Sequence, residues 1–258
     1  AASLILAFSK TFWDTSNAIE VYSLHTFFIV TNIYLFLKAC NVTGEDSKSN
    51  LLVCEKYWLL FAFVLGLSFG NHLTTIFLSV GFLYLFFAVN GFNKLALQRI
   101  LLLAIPFVIG LSIYIYLPVR SGNPVLSWGH PDTWDNFYRH VSGKQFSVWM
   151  FTGSENMIKQ FKYFTSAYPM EFFYIPLIIA ILGLVEIFGK SKKLFYYTIL
   201  LAGFCVIYAI NYDIHDIDSY FLLAYIVTAI WIGFGIHFIV RKTAEASRKS
   251  LSLVLILL

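Results

Sequence analysis

Arg120 ends an apolar run and opens the most polar stretch of the chain. Residues 120–145 hold two arginines, a lysine, two histidines, two aspartates and two tryptophans. A guanidinium forks onto phosphate through two parallel hydrogen bonds, so Arg120 is a candidate phosphate anchor. The competing reading is an arginine snorkelling to the headgroup level at the end of a membrane helix. The polar stretch belongs to a connection of about fifty residues, 118–170, where a few would join two helices. Loops of that length are functional or disordered, and the aromatic content here argues against disorder.

Other residues could do chemistry. Glu20 stands at the start of an apolar run, where a carboxylate either complements the helix dipole or serves a site. His25 and Asn32, seven residues apart, put a polar stripe on the helix that follows, and intramembrane polar residues usually face a bundle interior or a cavity. Asn71 and His72 sit at the tip of a tight helical hairpin. Gly70 and Asn71 there suit positive φ, while His72 offers a general acid or a hydrogen-bond donor. The segment 211–220 carries Asp213, His215, Asp216 and Asp218. Oxygen ligands in that density suit a metal, but they equally suit recognition of substrate hydroxyls, or capping of the next helix by Asp218 or Ser219.

The elements that must position these residues are membrane helices. The 258 residues are 59% hydrophobic, 19% aromatic and 12% charged, with a mean hydropathy of +0.74. Soluble domains carry roughly 25% charge. Apolar runs of about 20 residues recur, and the alternation of a β-barrel is absent. The expected fold is therefore an all-α polytopic membrane protein forming a single domain, 1–258. Full spans are expected near 20–39, 56–69, 73–90, 99–117, 171–189, 194–210 and 220–240, about seven in all. Partial helices are expected at 1–9 and from about 251. Both ends fall inside apolar runs, so a fragment of a longer chain is expected. Cys40, Cys54 and Cys205 lie in or beside apolar runs without metal or redox spacing and are read as packing residues.

Alternating spans divide the 18 basic residues into sets of 12 and 6. The larger set is Lys38, Lys48, Lys56, Lys94, Arg99, Lys190, Lys192, Lys193, Arg241, Lys242, Arg248 and Lys249. The positive-inside rule places it in the cytoplasm. Asp14, Glu20, Asn71, His72, the 120–144 stretch and Asp213–Asp218 then share the outer face, as one polar site over a helical bundle. The net charge of +4 is a topology signal, and no nucleic-acid partner is expected. The sequon at Asn41 falls on the cytoplasmic side, where it would go unused.

Two interfacial helices are expected in the long loop. In 132–141, with Asp132 as N-cap, Trp134, Phe137, Tyr138 and Val141 follow the i, i+3, i+4, i+7 spacing of an apolar stripe. A second, about 155–166, starts after Ser154 and shows Met157, Phe161 and Phe164.

Four segments together resemble one family: AIEVYSLH at 18–25, GLSFGNHLTT at 66–75, YLPVRSGNPVLSWGHPDTWDNFYRHVSGKQF at 116–146 and YDIHDIDSYFL at 212–222. It is the family, found in bacteria and animals, that contains the plexin-type protein O-mannosyltransferases of the GT-C superfamily. The resemblance implies a GT-C-like helical bundle. It also implies transfer of a sugar, mannose by this resemblance, from a polyprenyl- or dolichyl-phosphate carrier to an acceptor hydroxyl of a protein or glycan. The site would face the periplasm or the lumen, in a bacterial inner membrane or the endoplasmic reticulum. No cofactor or metal is required beyond the lipid-linked donor. Arg120 would meet the phosphate, and Trp128, His130, Trp134, His140 and Lys144 would shape the sugar or acceptor pocket, with Asn71, Asp213, Asp216 and Tyr220 as further binding residues. Glu20 and His72 are the acid–base candidates within the chain. The family's acidic motif, which follows its first membrane helix and supplies the general base, has no match here, so the base is expected upstream.

Two other classes compete. A transporter would show broken helices and polar residues near mid-membrane, often with inverted repeats; here the polar residues crowd one face and no repeat is found. A non-catalytic membrane scaffold would not need the cluster of His, Arg and Asp in its outer loop.

Overall fold

The structure, a computed structural model, describes residues 1–40, 51–122 and 125–256, with side chains for all of these except 51–55 and 247–256. The expectations for the Asn41 sequon, Lys48, Cys54, Arg248 and Lys249 fall outside the described residues or side chains. Among the described residues the secondary structure is helical, and the only extended pairing is an isolated antiparallel bridge between Met150 and Tyr212. The helices are α1 (Ala2–Ala7), α2 (Lys10–Asn17), α3 (Tyr22–Ala39), α4 (Leu51–Asn71), α5 (Ser79–Asn90) and α6 (Lys94–Leu111). They continue with α7 (Tyr116–Arg120), α8 (Trp134–Val141), α9 (Ser154–Glu171), α10 (Ile175–Lys190), α11 (Lys192–Ala209) and α12 (Leu222–Ile256). Short 3₁₀ turns precede α5 and α12 and link α6 to α7.

Among the described residues, four units are long and apolar enough to cross a membrane: Leu73–Asn90, Lys94–Arg120, Lys192–Ala209 and Ile217–Ala246. A fifth arises if α9 and α10, bent by 97° at their junction, form one broken span. This is fewer than the seven expected. For α3 the reason is physical: His25, Asn32 and Lys38 dilute its apolarity. The expected separate helix from about 251 is instead the end of α12, which runs unbroken from Leu222 to Ile256.

Caps and glycines explain the boundaries. Asn93 accepts from Ala96 N at 3.0 Å to start α6, and Ser191 both ends α10 and, through its hydroxyl, caps α11. The interhelical contacts α4–α6 and α10–α12 are close because glycines line them. A Cβ on Gly66 or Gly110 would collide with the carbonyl of Phe107 or Phe63, and one on Gly183 or Gly235 with that of Trp231 or Ile179. Small residues let helix backbones approach in this way inside a membrane.

The core lies where α3, α5 and α11 meet. The Phe36 ring stacks on Phe82 at 4.3 Å, and Tyr197 extends the stack at 6.2 Å from Phe82. Cys40 and Cys205 are buried and unpaired, as packing residues should be. At one end of the bundle Glu186 bridges Lys190 at 2.7 Å and Arg241 at 2.9 Å, tying α10 to α12. Asn71, His72 and the 211–221 segment gather at the opposite end, called here the polar end.

Candidate functional site

His25 and Asn32 both point into the bundle and are buried. Asn32 donates to Ser68 Oγ at 2.7 Å and thereby ties α3 to α4. His25 reaches the polar end, where α4 stops. The turn there differs from expectation: Gly70 and Asn71 stay helical, and the chain reverses through an extended His72, with φ −154° and ψ 132°. The His72 ring folds back so that Nδ1 accepts from Thr74 N at 3.3 Å, capping the 3₁₀ turn Leu73–Leu78. Thr74 Oγ1 lies 2.6 Å from His72 Nδ1 and 2.8 Å from His25 Nε2.

Aromatic rings surround this pair. His72 lies 4.9 Å from the His25 ring, 5.4 Å from Tyr22 and 5.8 Å, edge-on, from Tyr220, while Tyr220 stacks on Tyr212 at 5.1 Å. The Tyr22 phenol donates to Asp216 Oδ2 at 3.2 Å. Burial holds His72 down, to about 4, against the opposing pull of the Asp216 carboxylate. His72 is thus a neutral imidazole at physiological pH, suited to donating or accepting a hydrogen bond rather than carrying charge. Asn71 makes one long contact, from Nδ2 to Val21 O at 3.4 Å.

The carboxylates of the 211–221 segment take separate partners instead of converging. Asp213 lies 3.7 Å from Lys159 Nζ, Asp216 accepts from Tyr22, and Asp218 accepts from the Tyr163 phenol at 2.7 Å. Asp218 caps no helix: it lies inside the 3₁₀ turn Ile217–Phe221, and its carboxylate takes the Tyr163 phenol. Burial and Asp218 raise Tyr163 to about 12. Among the described residues no group of three or more His, Cys, Asp or Glu side chains could hold a metal ion.

The long loop docks on this cluster at two places. Gly143, at φ 63°, packs against the Leu73 side chain, and its left-handed backbone favours glycine there. Asp213 N donates to Trp149 O at 2.9 Å, and Phe151 N to Asn211 O at 2.8 Å. The buried Gln160 side chain donates to Tyr212 O at 3.2 Å. The interfacial helices form with shifted boundaries: α8 starts at Trp134 under a Thr133 cap, not an Asp132 cap, and α9 runs to Glu171. Trp134 and Tyr138 are exposed, while Phe137 and Val141 on the same stripe are half-buried.

His72, Asn71, Asp216 and Tyr220 are brought together, with Asp213 at the margin. Glu20 is exposed and caps no helix, since α3 starts at Tyr22 without a side-chain cap. Arg120 is exposed at the end of the helical unit 94–120, and no hydrogen bond or ion pair joins it to another described residue. That unit is about 40 Å long at about 1.5 Å per residue, longer than a hydrocarbon core of roughly 30 Å. Trp128, His130 and Lys144 are exposed in the loop, and half-buried His140 packs beside Gly129. None of these reaches the His72 cluster through a described contact.

Sequence reasoning missed Tyr22, Thr74, Tyr163, Gln160 and Glu171. Glu171 is a buried carboxylate that accepts from Thr11 N at 2.7 Å and Thr11 Oγ1 at 3.0 Å, capping α2 from 160 positions away. The one local sign of it is an acid amid the apolar residues around 168–177.

Below the polar end, an apolar cavity of about 370 Å³ runs between α3, α4, α5 and α6. It extends from Phe36 and Trp58 to Phe69 and Phe107, with Thr75 and Ser79 its only polar lining. Thr75 also donates its hydroxyl to His72 O at 2.8 Å, so the cavity abuts the His72 turn.

Comparison with known proteins agrees in direction. Residues 1–96 match the family model described as Protein O-mannosyl-transferase TMEM260 N-terminal domain. No solved structure matches. Protein O-mannosyl-transferase TMEM260 of Mus musculus is 27% identical over 157 residues, which cover 60% of this chain and 22% of that protein. The aligned part of the chain thus spans less than a quarter of this curated relative, and the family match at 1–96 includes α3 and His72 but not Asp216 or Tyr220.

Proposed function

We propose that this chain is part of a GT-C-type glycosyltransferase that moves a sugar, mannose by similarity, from a polyprenyl- or dolichyl-phosphate carrier to a serine or threonine hydroxyl of a protein. In this reading α3 and α4 also cross the membrane, giving seven spans, and the polar end faces the lumen or periplasm. The observation that carries the reading is the junction of the His72 cluster with the apolar cavity. Isoprenoid chains need a dry, elongated apolar groove, and a phosphate-linked sugar needs donors at its mouth. From Trp58 to Phe69 the cavity follows α4 for about 16 Å at about 1.5 Å per residue, long enough for several isoprene units.

In the reaction, the acceptor oxygen bonds to the anomeric carbon while the bond from that carbon to the phosphate oxygen breaks. The phosphate leaves with the electron pair, and the hydroxyl proton passes to a general base. Donors aimed at the departing phosphate lower the barrier as charge develops. Arg120 serves at headgroup level, and the His72, Tyr22 and Tyr220 edges line the sugar side. The general base is assigned to no residue of this chain. The test is sugar transfer by the full-length protein from a polyprenyl-phosphate-mannose donor to a serine-containing peptide, in wild type and in Arg120→Gln. A loss on the order of 100-fold in the variant is expected for one removed phosphate contact. Unchanged transfer would remove Arg120 from the site.

A further inference from the structure

The contacts of Thr74 fix the direction of a buried hydrogen-bond chain. His72 Nδ1 accepts from the Thr74 backbone N–H at 3.3 Å, so that nitrogen carries a lone pair. The Thr74 hydroxyl, 2.6 Å from the same nitrogen, must then donate its one proton to it. Thr74 Oγ1 is left as an acceptor toward His25, so His25 Nε2, 2.8 Å away, is the donor. His25 Nδ1 is buried without a partner among the described residues. A proton there would find no acceptor, so His25 is neutral with its proton on Nε2. The chain runs one way: His25 N–H to Thr74 O–H to His72 Nδ1.

From this geometry we infer that His25 and Thr74 are positioning residues that lock His72 as the Nε2–H tautomer, making Nε2–H a fixed donor to an oxygen of the lipid-linked sugar phosphate. The assignment rests on the transfer reading above for the identity of that oxygen, but not for the tautomer. Hydrogen bonds in a directed chain polarise one another, so donation into Nδ1 strengthens Nε2–H as a donor. The groups facing His72 are uncharged except for the Asp216 carboxylate, whose pull toward the charged ring is outweighed by burial. Tyr22 and His25 come from α3, Tyr220 from the 217–221 turn and Asp216 from the preceding loop. Glu20 acts only at one remove, on Tyr22.

A purely structural role, in which His72 merely caps the 3₁₀ turn, makes different demands. Asn in place of His72 keeps an acceptor for Thr74 N but has nothing at the Nε2 position; Gln reaches that position with an N–H.

The experiment combines side-chain ¹⁵N NMR of histidine-labelled full-length protein in detergent with transfer kinetics. His72→Asn identifies the His72 signals. At pH 7 wild type is expected to show an unprotonated Nδ1 and a protonated Nε2. Thr74→Val leaves only the weaker 3.3 Å backbone N–H on Nδ1 and populates part of the other tautomer, and Thr74→Ser restores the wild-type pattern. In the assay Thr74→Val lowers kcat about tenfold with KM little changed, the size of one lost hydrogen bond. Thr74→Ser is near wild type, and His72→Gln outperforms His72→Asn. A His72 that is charged or protonated on Nδ1 in wild type overturns the inference. So does full activity in Thr74→Val or His72→Asn. If wild type transfers no sugar from polyprenyl-phosphate donors, the transfer reading fails, while the NMR arm still decides the tautomer lock.

Discussion

Tyr22 and Asp216, 194 positions apart, are joined by a 3.2 Å hydrogen bond that fastens the start of α3 to the loop before α12. The bond brings a carboxylate within electrostatic reach of His72. Tyr22→Phe removes the donor and is expected to cost about 1 kcal/mol of stability, the usual net worth of one partly buried hydrogen bond. Asp216→Asn keeps an acceptor but removes the charge, so it should spare stability while depressing transfer. Thermal unfolding alongside the transfer assay separates the two effects; equal stability losses in both variants would contradict this division.

Glu171 caps α2 across the bundle with two bonds to Thr11. Glu171→Ala leaves a buried N–H unsatisfied and should cost about 2 kcal/mol, at the upper range for a lost cap. Glu171→Gln retains one acceptor and should lose about half as much. The melting temperature of the full-length protein in detergent reads both, and an Ala variant as stable as wild type would mean that water replaces the cap.

The glycines divide by environment. Gly66, Gly110, Gly183 and Gly235 have neighbouring carbonyls where a Cβ would sit, whereas Gly189 and Gly203 have open space. Alanine at any of the first four should force helices apart and give aggregated or degraded protein, while Gly189→Ala and Gly203→Ala should purify as wild type. Size-exclusion profiles decide, and a monodisperse Gly183→Ala would refute the close approach of α10 to α12.

His72 gives stability a pH dependence of definite sign. Its pKa is about 4 in the fold against 6.5 in the unfolded chain. Above 6.5 both states hold it neutral and its contribution is complete. Between 6.5 and 4 the unfolded state takes up the proton first, so this contribution is lost as the pH falls. The melting temperature should drop across that window, and His72→Gln, which does not titrate, should drop less. An identical profile in the variant would show that His72 takes up its proton at the same pH in the fold as in the unfolded chain.

Much of this was legible in the sequence where the signal is local. The 3.6-residue spacing of α8, the polar end and the inward stripe of His25 and Asn32 follow from periodicity and charge distribution alone. Boundaries failed where two local signals competed: Thr133 rather than Asp132 caps α8, because only Thr133 accepts from Asn136 N. The span count fell short where the same inward polar residues lowered the apolarity of α3. Long-range pairings were invisible, since nothing near Asp218 announces that Tyr163 will take its carboxylate. Arg120 lies in a strong local motif and tops an exposed helix, where no described side-chain contact ties it to the cluster.

The cavity makes a prediction about chain length. Ala104→Phe narrows the space beside Phe107 and Leu103. It should raise KM for a long polyprenyl-phosphate donor several-fold by excluding apolar surface from the groove, with little effect on a short-chain analogue. Equal effects on both donors would disconnect the cavity from the lipid.

The most direct test of the central claim, that the His72 cluster is where sugar leaves its lipid phosphate, is single-turnover transfer by the full-length protein from a polyprenyl-phosphate-mannose donor to a serine-containing peptide, comparing wild type with the double variant His72→Asn, Asp216→Asn. The account predicts transfer by wild type and a drop on the order of 100-fold or more in the variant, at unchanged melting behaviour. Transfer at the wild-type rate by a folded double variant would contradict it.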